Sequence, residues 1–298
     1  MAYSRSAYRP RFRRYRRRTY ARKSVYSRRS YGVKRYRRRY GRYKRRLTSR
    51  RVRNIASAKK YDTMLGSSGT NEPPIPDNFP IFAGSNYMLW NATYRPHDVE
   101  SGPHHRNSWR VFWRGVRERI LLSVSFEVIH RRVCFWSYRR HEEGNPIYDQ
   151  ATNLWRRPLR RITHIDDPDI FEQLWKGTLD EDYSENNRWN APIDNRRYKI
   201  VYDRSYTINP NYDVGEGSAF GKSRSRKMWH PMNATIMYDE DEAGINDLDS
   251  PWAAFNPDYC GNFYILDIFS TGQDLGDDTS QRVGTFTTTA NVYWHEQN

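Results

Sequence analysis

The sequence has no acidic side chain before Asp62. Its first 61 residues nevertheless carry 21 Arg and 5 Lys, which are 26 of the 51 basic residues in the chain. The rest of the chain holds 25 basic and 34 acidic side chains, a balance of −9 within a formal net charge of +17. Closely spaced like charges repel one another, and this segment has too little apolar surface to offset the conformational entropy lost on folding. An independently folded N-terminal domain is therefore excluded. We predict a disordered arm over residues 1–58 and one folded domain over 59–298.

Cysteine is scarce and long apolar runs are absent. Cys134 and Cys260 are the only cysteines, which excludes a disulfide scaffold and fits a reducing compartment. No segment approaches the roughly 18 apolar residues needed to cross a bilayer. Residues 1–30 lack the apolar segment of a secretory signal, and the arm shows no apolar stripe typical of a surface-lying helix. We therefore expect no membrane insertion.

The arm consists largely of arginine interleaved with tyrosine, with basic clusters around Tyr15 and Tyr36. Guanidinium groups bind phosphate oxygens through forked hydrogen bonds, and a tyrosine ring offers an unpaired base a stacking surface worth roughly 1–3 kcal/mol. Counterion release favours such binding without sequence preference. The arm therefore indicates a single-stranded nucleic acid partner. The residues predicted to bind it are Arg11, Arg13, Arg14, Tyr15, Arg16, Arg17, Arg18, Tyr20, Arg28, Arg29, Lys34, Arg35, Tyr36, Arg37, Arg38, Arg39, Tyr40, Arg42, Lys44, Arg45, Arg46, Arg50 and Arg51.

Two basic clusters of the arm also resemble nuclear-import signals, a pattern of low specificity in any nucleic-acid-binding segment. They predict host import receptors as a second class of partner. The residues concerned are Lys34, Arg35, Arg37, Arg38, Arg39, Lys44, Arg45 and Arg46.

The folded domain is dominated by a hydrophobic period of two, which is typical of strands. One segment reads as a helix, because Asp167 can cap it, Pro168 suits its first turn and Gly177 can end it. Many strands with long connections and a single short helix predict an all-β, antiparallel jelly-roll sandwich. The predicted strands cover residues 59–65, 86–94, 108–114, 120–129, 133–138, 197–202, 205–209, 227–238, 262–269 and 286–294.

Candidate catalytic and ligand sites in this domain are weak. Residues 215–223 resemble a phosphate-binding loop but have the wrong glycine spacing, so we expect a mobile basic loop in which Lys222, Arg224, Arg226 and Lys227 make minor phosphate contacts. The acidic run 239–242 lacks the alternating carboxylates of a calcium loop. It is expected to be solvated or to contact a neighbouring subunit.

The histidines also lack a catalytic or metal-binding pattern. His164 could form an acid–base pair with Asp166 or Asp167, but no nucleophile motif or zinc-ligand spacing accompanies it. His230 and His295 each adjoin a tryptophan and are expected to pack in aromatic surroundings. We expect no enzyme activity, no metal and no cofactor.

Several segments between residues 192 and 296 resemble the capsid proteins of genomoviruses, small circular single-stranded DNA viruses that are distantly similar to geminiviruses. The likeness also extends to the arginine–tyrosine arm. The segments are PIDNRR at 192–197, KMWHPMN at 227–233, YDEDEAG at 238–244, YILDIFS at 264–270 and YWHE at 293–296.

This resemblance implies one jelly roll per subunit, self-assembly of about sixty copies into a T=1 icosahedral shell, a circular single-stranded DNA genome inside it, and residence in the virion and the host nucleus. One alternative is a cellular nucleic-acid packaging or ribosomal-type protein, which would share the arm without forming a closed shell. A second is an enzyme tethered to nucleic acid, which would need a convergent polar site.

Overall fold

The computed structural model describes residues 49–98, 102–212, 219–238, 250–256, 258–271 and 281–297. The predicted nucleic-acid-binding residues from Arg11 to Arg46, the predicted import signals and the acidic run 239–242 lie outside these ranges. No helix within the described ranges is long and apolar enough to cross a membrane.

Strands make up most of the described chain, and short helical segments are few. The α-helices are α1 (Ser49–Ala56) and α2 (Pro168–Gln173), and single 3-10 turns lie at Glu142–Gly144 and Glu185–Asn187. The strands are β1 (Ser57–Ser67), β2 (Phe79–Phe82), β3 (Ser85–Asn91), β4 (Arg110–Val124), β5 (Val128–Ser137), β6 (Ile147–Asp149), β7 (Leu154–Pro158), β8 (Lys199–Ile208), β9 (Asn211–Tyr212), β10 (Ala219–Phe220), β11 (Lys222–Met237), β12 (Asn262–Thr271) and β13 (Arg282–Gln297).

The long strands form two sheets in the order of a jelly roll. The seven-stranded sheet runs β11-β4-β13-β1-β7-β6, with β2 also paired to β13, and the four-stranded sheet runs β3-β12-β5-β8. Antiparallel pairing joins β1 to β13, β3 to β12, β4 to β11 and β5 to β8. The first long strand, β1, thus pairs with the last, β13, and the two middle long strands, β5 and β8, pair with each other. This nested pairing is the one that results when a long hairpin is rolled into two packed sheets, as in a jelly roll. The predicted fold class is confirmed.

Aromatic side chains fill the space between the two sheets. Trp90, Trp113 and Trp294 are fully buried, and the rings of Trp113 and Trp294 lie 5.4 Å apart. These side chains come from β3, β4 and β13, so burial of the tryptophans joins the two sheets. Burial of this kind is the main favourable contribution to folding.

The four-stranded sheet is covered on both faces. Its outer face packs against the segment that contains α2, where Ile170, Phe171, Leu174 and Trp175 are buried. Every residue of β5 is consequently buried. The expected helix is confirmed at its start, where an Asp167 carboxylate oxygen accepts a hydrogen bond from the amide of Ile170 at 3.2 Å, although the helix ends at Gln173.

Three local features differ from the prediction. Helix α1 and the first residues of β1 occupy positions 49–58, for which we predicted disorder. Arginine and alanine are strong helix formers and account for a helix here.

The second difference is that residues 125–127 form a corner between β4 and β5, although the hydrophobic alternation runs through them unbroken. The reason is that β4 and β5 belong to different sheets, so the chain turns there while its hydrophobic pattern stays in phase.

The predicted mobile loop is a third difference over its described part, whereas residues 215–218 lie outside the described ranges. Lys222, Arg224, Arg226 and Lys227 lie in β11, where they are paired with residues of β4. Backbone hydrogen bonding to β4 holds this segment extended, a long-range effect that glycine spacing cannot reveal.

Candidate nucleic-acid interface

The outward face of the seven-stranded sheet, over its described strands, displays cations and aromatic rings but no carboxylate. Strands β1, β4, β11 and β13 carry three acidic residues in all, namely Asp62, Glu118 and Glu296. Each is buried, with 5%, 0% and 3% of its surface exposed. We call this surface the basic face and define it by Lys59, Tyr61, Arg114, Arg117, Arg119, Lys227, Trp229 and Tyr293.

A β-bulge in β4 brings two of these arginines to the same side. Tyr293 pairs with Gly115 but Trp294 pairs with Trp113, so Arg114 has no counterpart on β13. Side chains on a strand alternate between faces, and a bulge shifts that alternation by one residue. Arg114 and Arg117 are therefore both exposed, while Val116 remains buried.

Gly115 is the residue that allows this bulge. Its φ is +151°, a conformation that favours glycine. A Cβ at this position would lie 2.5 Å from the carbonyl oxygen of His230 and 2.8 Å from the ring of Trp229. The missing side chain therefore lets the Trp229 ring lie against the backbone of β4.

The cations of the basic face are not neutralised by other described residues. Within the described ranges, Lys59, Arg114, Arg117, Arg119 and Lys227 form no ion pair. Arg119 lies directly opposite Lys227 in the β4–β11 register. Like charges in such cross-strand positions are destabilising, so an external anion would relieve this repulsion.

A shallow depression of about 360 Å³ lies in the basic face. Burial lowers the pKa of His295 at its rim, and the nearby Lys59 and Arg114 lower that pKa further. The imidazole is therefore neutral at pH 7, and the two cations mark the local potential as positive. The depression is lined by Lys59, Lys60, Tyr61, Arg114, Arg117, Trp229, Tyr293 and His295.

Carboxylates buried beneath this surface are paired with their own cations. The Lys60 Nζ lies 2.8 Å from Glu296 Oε2, and the indole of Trp294 donates to Glu296 Oε1 at 2.8 Å. The Arg95 guanidinium lies 2.7 Å from Asp62 Oδ2. These acidic groups are satisfied internally and do not neutralise the outward cations.

Comparison with known proteins finds little similarity. No family model matches the chain, and no curated protein matches it. Similar solved structures include the VP1 pentamer of human polyomavirus 6, with 10% identity, coverage of 80% of this chain and 93% of that one, and a TM-score of 0.20. VP1 of human polyomavirus 12 with 3'-sialyllactosamine has 9% identity, coverage of 80% and 82%, and a TM-score of 0.10. VP1 of Merkel cell polyomavirus with disialyllactose has 9% identity, coverage of 80% and 78%, and a TM-score of 0.09. At these TM-scores the likeness carries no weight for function.

The predicted site residues fall largely beyond the described ranges. Arg50 and Arg51 lie in α1, and the other predicted binding residues precede it. Sequence reasoning missed the basic face, because its residues come from four strands spread between positions 59 and 293. The sequence did carry one signal. On these four strands, every charged residue at an outward position of the alternation is basic.

Two acidic and two basic side chains lie between the sheets, closed off from solvent. Glu118, Arg132, Asp267 and Arg157 are at most 1% exposed. Arg132 Nε lies 2.7 Å from Asp267 Oδ1, and Arg157 Nη2 lies 2.7 Å from Asp267 Oδ2. Burial by itself would raise the pKa of Asp267, but Arg132, with His130 and Arg157, holds that pKa well below its usual value. The group is a neutralised structural network rather than a reactive site.

One buried pair has the geometry of a nucleophile and a base without the required protonation. Cys134 Sγ lies 3.5 Å from His230 Nδ1. Burial raises the pKa of the Cys134 thiol well above its usual value and lowers the pKa of His230 to about 4. The thiolate that nucleophilic catalysis requires is therefore disfavoured.

The structure separates the other histidine expectations: the pairing considered for His164 is not formed, and the aromatic surroundings expected of His230 and His295 are present. His164 Nε2 lies 3.0 Å from Glu172 Oε1 at the surface, not beside Asp166 or Asp167. Asp167 instead accepts from His141 Nδ1 at 2.8 Å. His230 packs edge-on against Tyr202, which confirms the expected aromatic surroundings. The adjacent Trp229 does not supply them, because adjacent residues of a strand point to opposite faces. The described residues contain no cluster of three or more potential metal ligands.

Proposed function

We propose that this chain is a viral coat protein that self-assembles into a closed icosahedral shell and packages circular single-stranded DNA, with a structural rather than a catalytic role. The observation that carries the proposal is the distribution of charge over a jelly roll. The first 61 residues carry 26 cations and end within β1, a strand of the sheet whose described outward face is cationic and free of carboxylates. A polycation joined to a cationic sheet face fits a polyanionic partner.

The amount of charge matches the proposed cargo. A minimal icosahedral shell has about sixty equivalent positions, so sixty copies of the 26 cations that precede Asp62 supply roughly 1,500 positive charges. That number would neutralise a large share of the phosphates in a genome of about one to a few thousand nucleotides.

A genomovirus origin is the specific form of this proposal. It is supported by the resemblance of segments 192–197, 227–233, 264–270 and 293–296 to capsid proteins of that family. It implies passage through the host nucleus, with the basic clusters of the arm recognised by import receptors. The cellular packaging alternative shares the arm but gives no reason for a jelly roll.

The test is electron microscopy of the purified full-length protein, combined with nuclease treatment and extraction of the DNA that remains protected. We expect uniform closed particles that contain nuclease-resistant circular single-stranded DNA. Irregular nucleoprotein aggregates instead of closed particles would contradict the coat-protein proposal. Closed particles that protect no DNA would contradict the packaging role alone.

A deletion of residues 1–48 tests the role of the arm. This change removes 21 of the 26 cations that precede Asp62 and leaves α1 and every described strand in place. We expect a folded, β-rich protein that retains little single-stranded DNA in filter binding at near-physiological salt. Unchanged retention would show that the arm is not the main DNA-binding segment.

A further inference from the structure

We propose that the depression in the basic face binds an unpaired nucleobase, so that the folded domain itself discriminates between single-stranded and duplex nucleic acid. The inference deepens the proposed function and rests on it for the identity of the polyanion. It assigns a binding site to residues outside the arm.

Trp229 supplies the main stacking surface. It is a large apolar side chain with 47% of its surface exposed, and it lies on β11, the edge strand of the seven-stranded sheet. Its ring lies against Gly115 on one side and next to the Tyr293 ring, whose centroid is 6.0 Å away. The indole is thus held in place by the bulge and by a neighbouring ring. An exposed aromatic surface that is fixed in advance binds a partner with a smaller loss of entropy.

Tyr61 extends the aromatic surface on the other side of Tyr293. It is 46% exposed, and its ring stacks with that of Tyr293 at 6.4 Å and an interplanar angle of 29°. His104 packs edge-on against the Tyr61 ring at 5.1 Å, and His104 Nδ1 is hydrogen-bonded to the Tyr61 carbonyl oxygen at 2.7 Å. The rings of Tyr61, Tyr293 and Trp229 therefore form a continuous row across β1, β13 and β11.

The cations surround this row at positions suited to a phosphodiester backbone. Arg117 lies directly opposite Trp229 in the β4–β11 register, and Lys59 and Arg114 line the same depression. A volume of about 360 Å³ is at the lower end of the range for small-ligand sites. Aromatic rings flanked by cations bind single strands by stacking exposed bases while the cations hold the phosphates. Paired bases in a duplex cannot lie on the rings.

Photocrosslinking locates the contact in the full-length protein. An oligonucleotide containing 5-bromouracil is irradiated with the protein, as a single strand and as a duplex, and crosslinked peptides are identified by mass spectrometry. We expect crosslinks at Tyr61, Trp229 or Tyr293 from the single strand and at least about five-fold fewer from the duplex. Crosslinks confined to residues 1–48, or equal yields from both substrates, would overturn the inference.

Substitution measures the contribution of the site. Trp229→Ala should weaken binding of a short oligothymidylate by about five-fold or more and leave the affinity for duplex of the same length unchanged. Because no cation is removed, the salt dependence of binding should not change. Trp229→Phe should restore most of the affinity. The matched control is Tyr148→Ala, which removes another exposed aromatic residue, 42% exposed, outside the depression.

The remaining outcomes separate this inference from the proposed function. Unchanged single-strand affinity in Trp229→Ala, together with fewer particles, would identify the depression as a contact between subunits and overturn the base-binding inference. Wild-type protein that crosslinks at the depression but forms no closed particles would contradict the coat-protein proposal and leave base binding intact.

Discussion

At the scale of single residues, the two faces of the seven-stranded sheet treat charge differently. Buried charged side chains on its inward face form ion pairs, whereas the cations of the basic face form none with other described residues. Glu118 is buried among Arg132 and Arg157, whereas its neighbours Arg117 and Arg119 point outward without carboxylate partners in the described part of the chain. Buried charges must be paired because desolvation of a lone ion is costly. Exposed cations can do without such pairs because water solvates them, and they stay available to an external anion.

Replacement of Trp294 by alanine tests whether this side chain belongs to the core of the sandwich. Its side chain is fully buried, and Trp→Ala in a core costs about 3–5 kcal/mol, so the free energy of unfolding should fall by a comparable amount. Urea unfolding of dissociated subunits measures this loss. Trp229→Ala is the matched control, since Trp229 is 47% exposed and should change stability much less. Equal effects of the two substitutions would contradict the assignment of inward and outward faces on β11 and β13.

The lowered pKa of His230 leads us to predict a specific dependence of stability on pH. Its pKa is about 4 in the folded protein, lowered by burial and then by Arg132, against an ordinary value of 6.5. The unfolded chain therefore binds a proton that the folded chain does not, and stability present above pH 6.5 is lost as the pH falls toward 4. This difference between the folded and unfolded pKa of His230 corresponds to a loss of roughly 3 kcal/mol at most in the free energy of unfolding.

Urea unfolding at pH 7 and pH 4.5 measures this effect. His230→Gln cannot be protonated, so its stability should fall less over this interval than that of the wild type. Burial also lowers the pKa of His130, so a residual decline is expected in the variant. An identical pH dependence in both proteins would mean that His230 does not carry the linkage.

At the scale of elements, the bulge in β4 determines which side chains share a face. The two parts of β4 on either side of Gly115 would place their arginines on opposite faces if the strand were regular. The bulge brings both to the outside and keeps Trp113 and Val116 inside. One extra residue thus reconciles a continuous core with a continuous basic face.

Gly115→Ala should disturb this arrangement. The added Cβ would meet the His230 carbonyl oxygen at 2.5 Å, and the φ of +151° is unfavourable for alanine. We expect a loss of about 1–3 kcal/mol and weaker single-strand binding because Trp229 must move.

Gly84→Ala provides the control for strain alone. Gly84 also has a positive φ, +82°, but a Cβ added there would have no described atom within 4 Å, so a cost of about 1–2 kcal/mol is expected without any change in binding. Urea unfolding and oligonucleotide affinity of the two variants provide the comparison. A Gly115→Ala protein that binds single strands as the wild type does would show that the bulge is not needed for the binding surface.

At the scale of the whole molecule, the chain divides its charge between an arm of high positive density and a domain with a negative balance. Charge alone attracts any nucleic acid, so a preference for single strands requires exposed rings. In the proposal the arm supplies rings through tyrosine, and the domain supplies them through Trp229 and its neighbours.

Replacing six tyrosines of the arm by serine separates the two contributions. The change keeps every cation, so the salt dependence of binding should be preserved. Affinity for single strands should fall more than affinity for duplex, because only unpaired bases stack on the rings. Anisotropy titrations with both substrates make the measurement, and equal losses would show that the rings act as spacers. The substituted residues are Tyr15, Tyr20, Tyr26, Tyr31, Tyr36 and Tyr40.

The strand content was predictable because alternation is a local property. The segments 286–294 and 262–269 lie within β13 and β12, and Asp167 and Pro168 correctly indicated the start of α2. The short strands β6 and β7 were missed because only a few residues of each pair with a neighbour. The full burial of β5 was also missed, since it depends on a loop layer that packs from elsewhere in the chain.

The sequence by itself determined the charge partition, the absence of a disulfide scaffold and the all-β class, because composition and period-two alternation are properties of neighbouring residues. Only the tertiary structure decided that Lys59, Arg117 and Trp229 share one surface. Strand register and a single bulge bring residues together from distant parts of the chain, and neither leaves a local signal. The same register buries Glu118 and exposes its two arginine neighbours, so the basic face is a consequence of folding and not of composition.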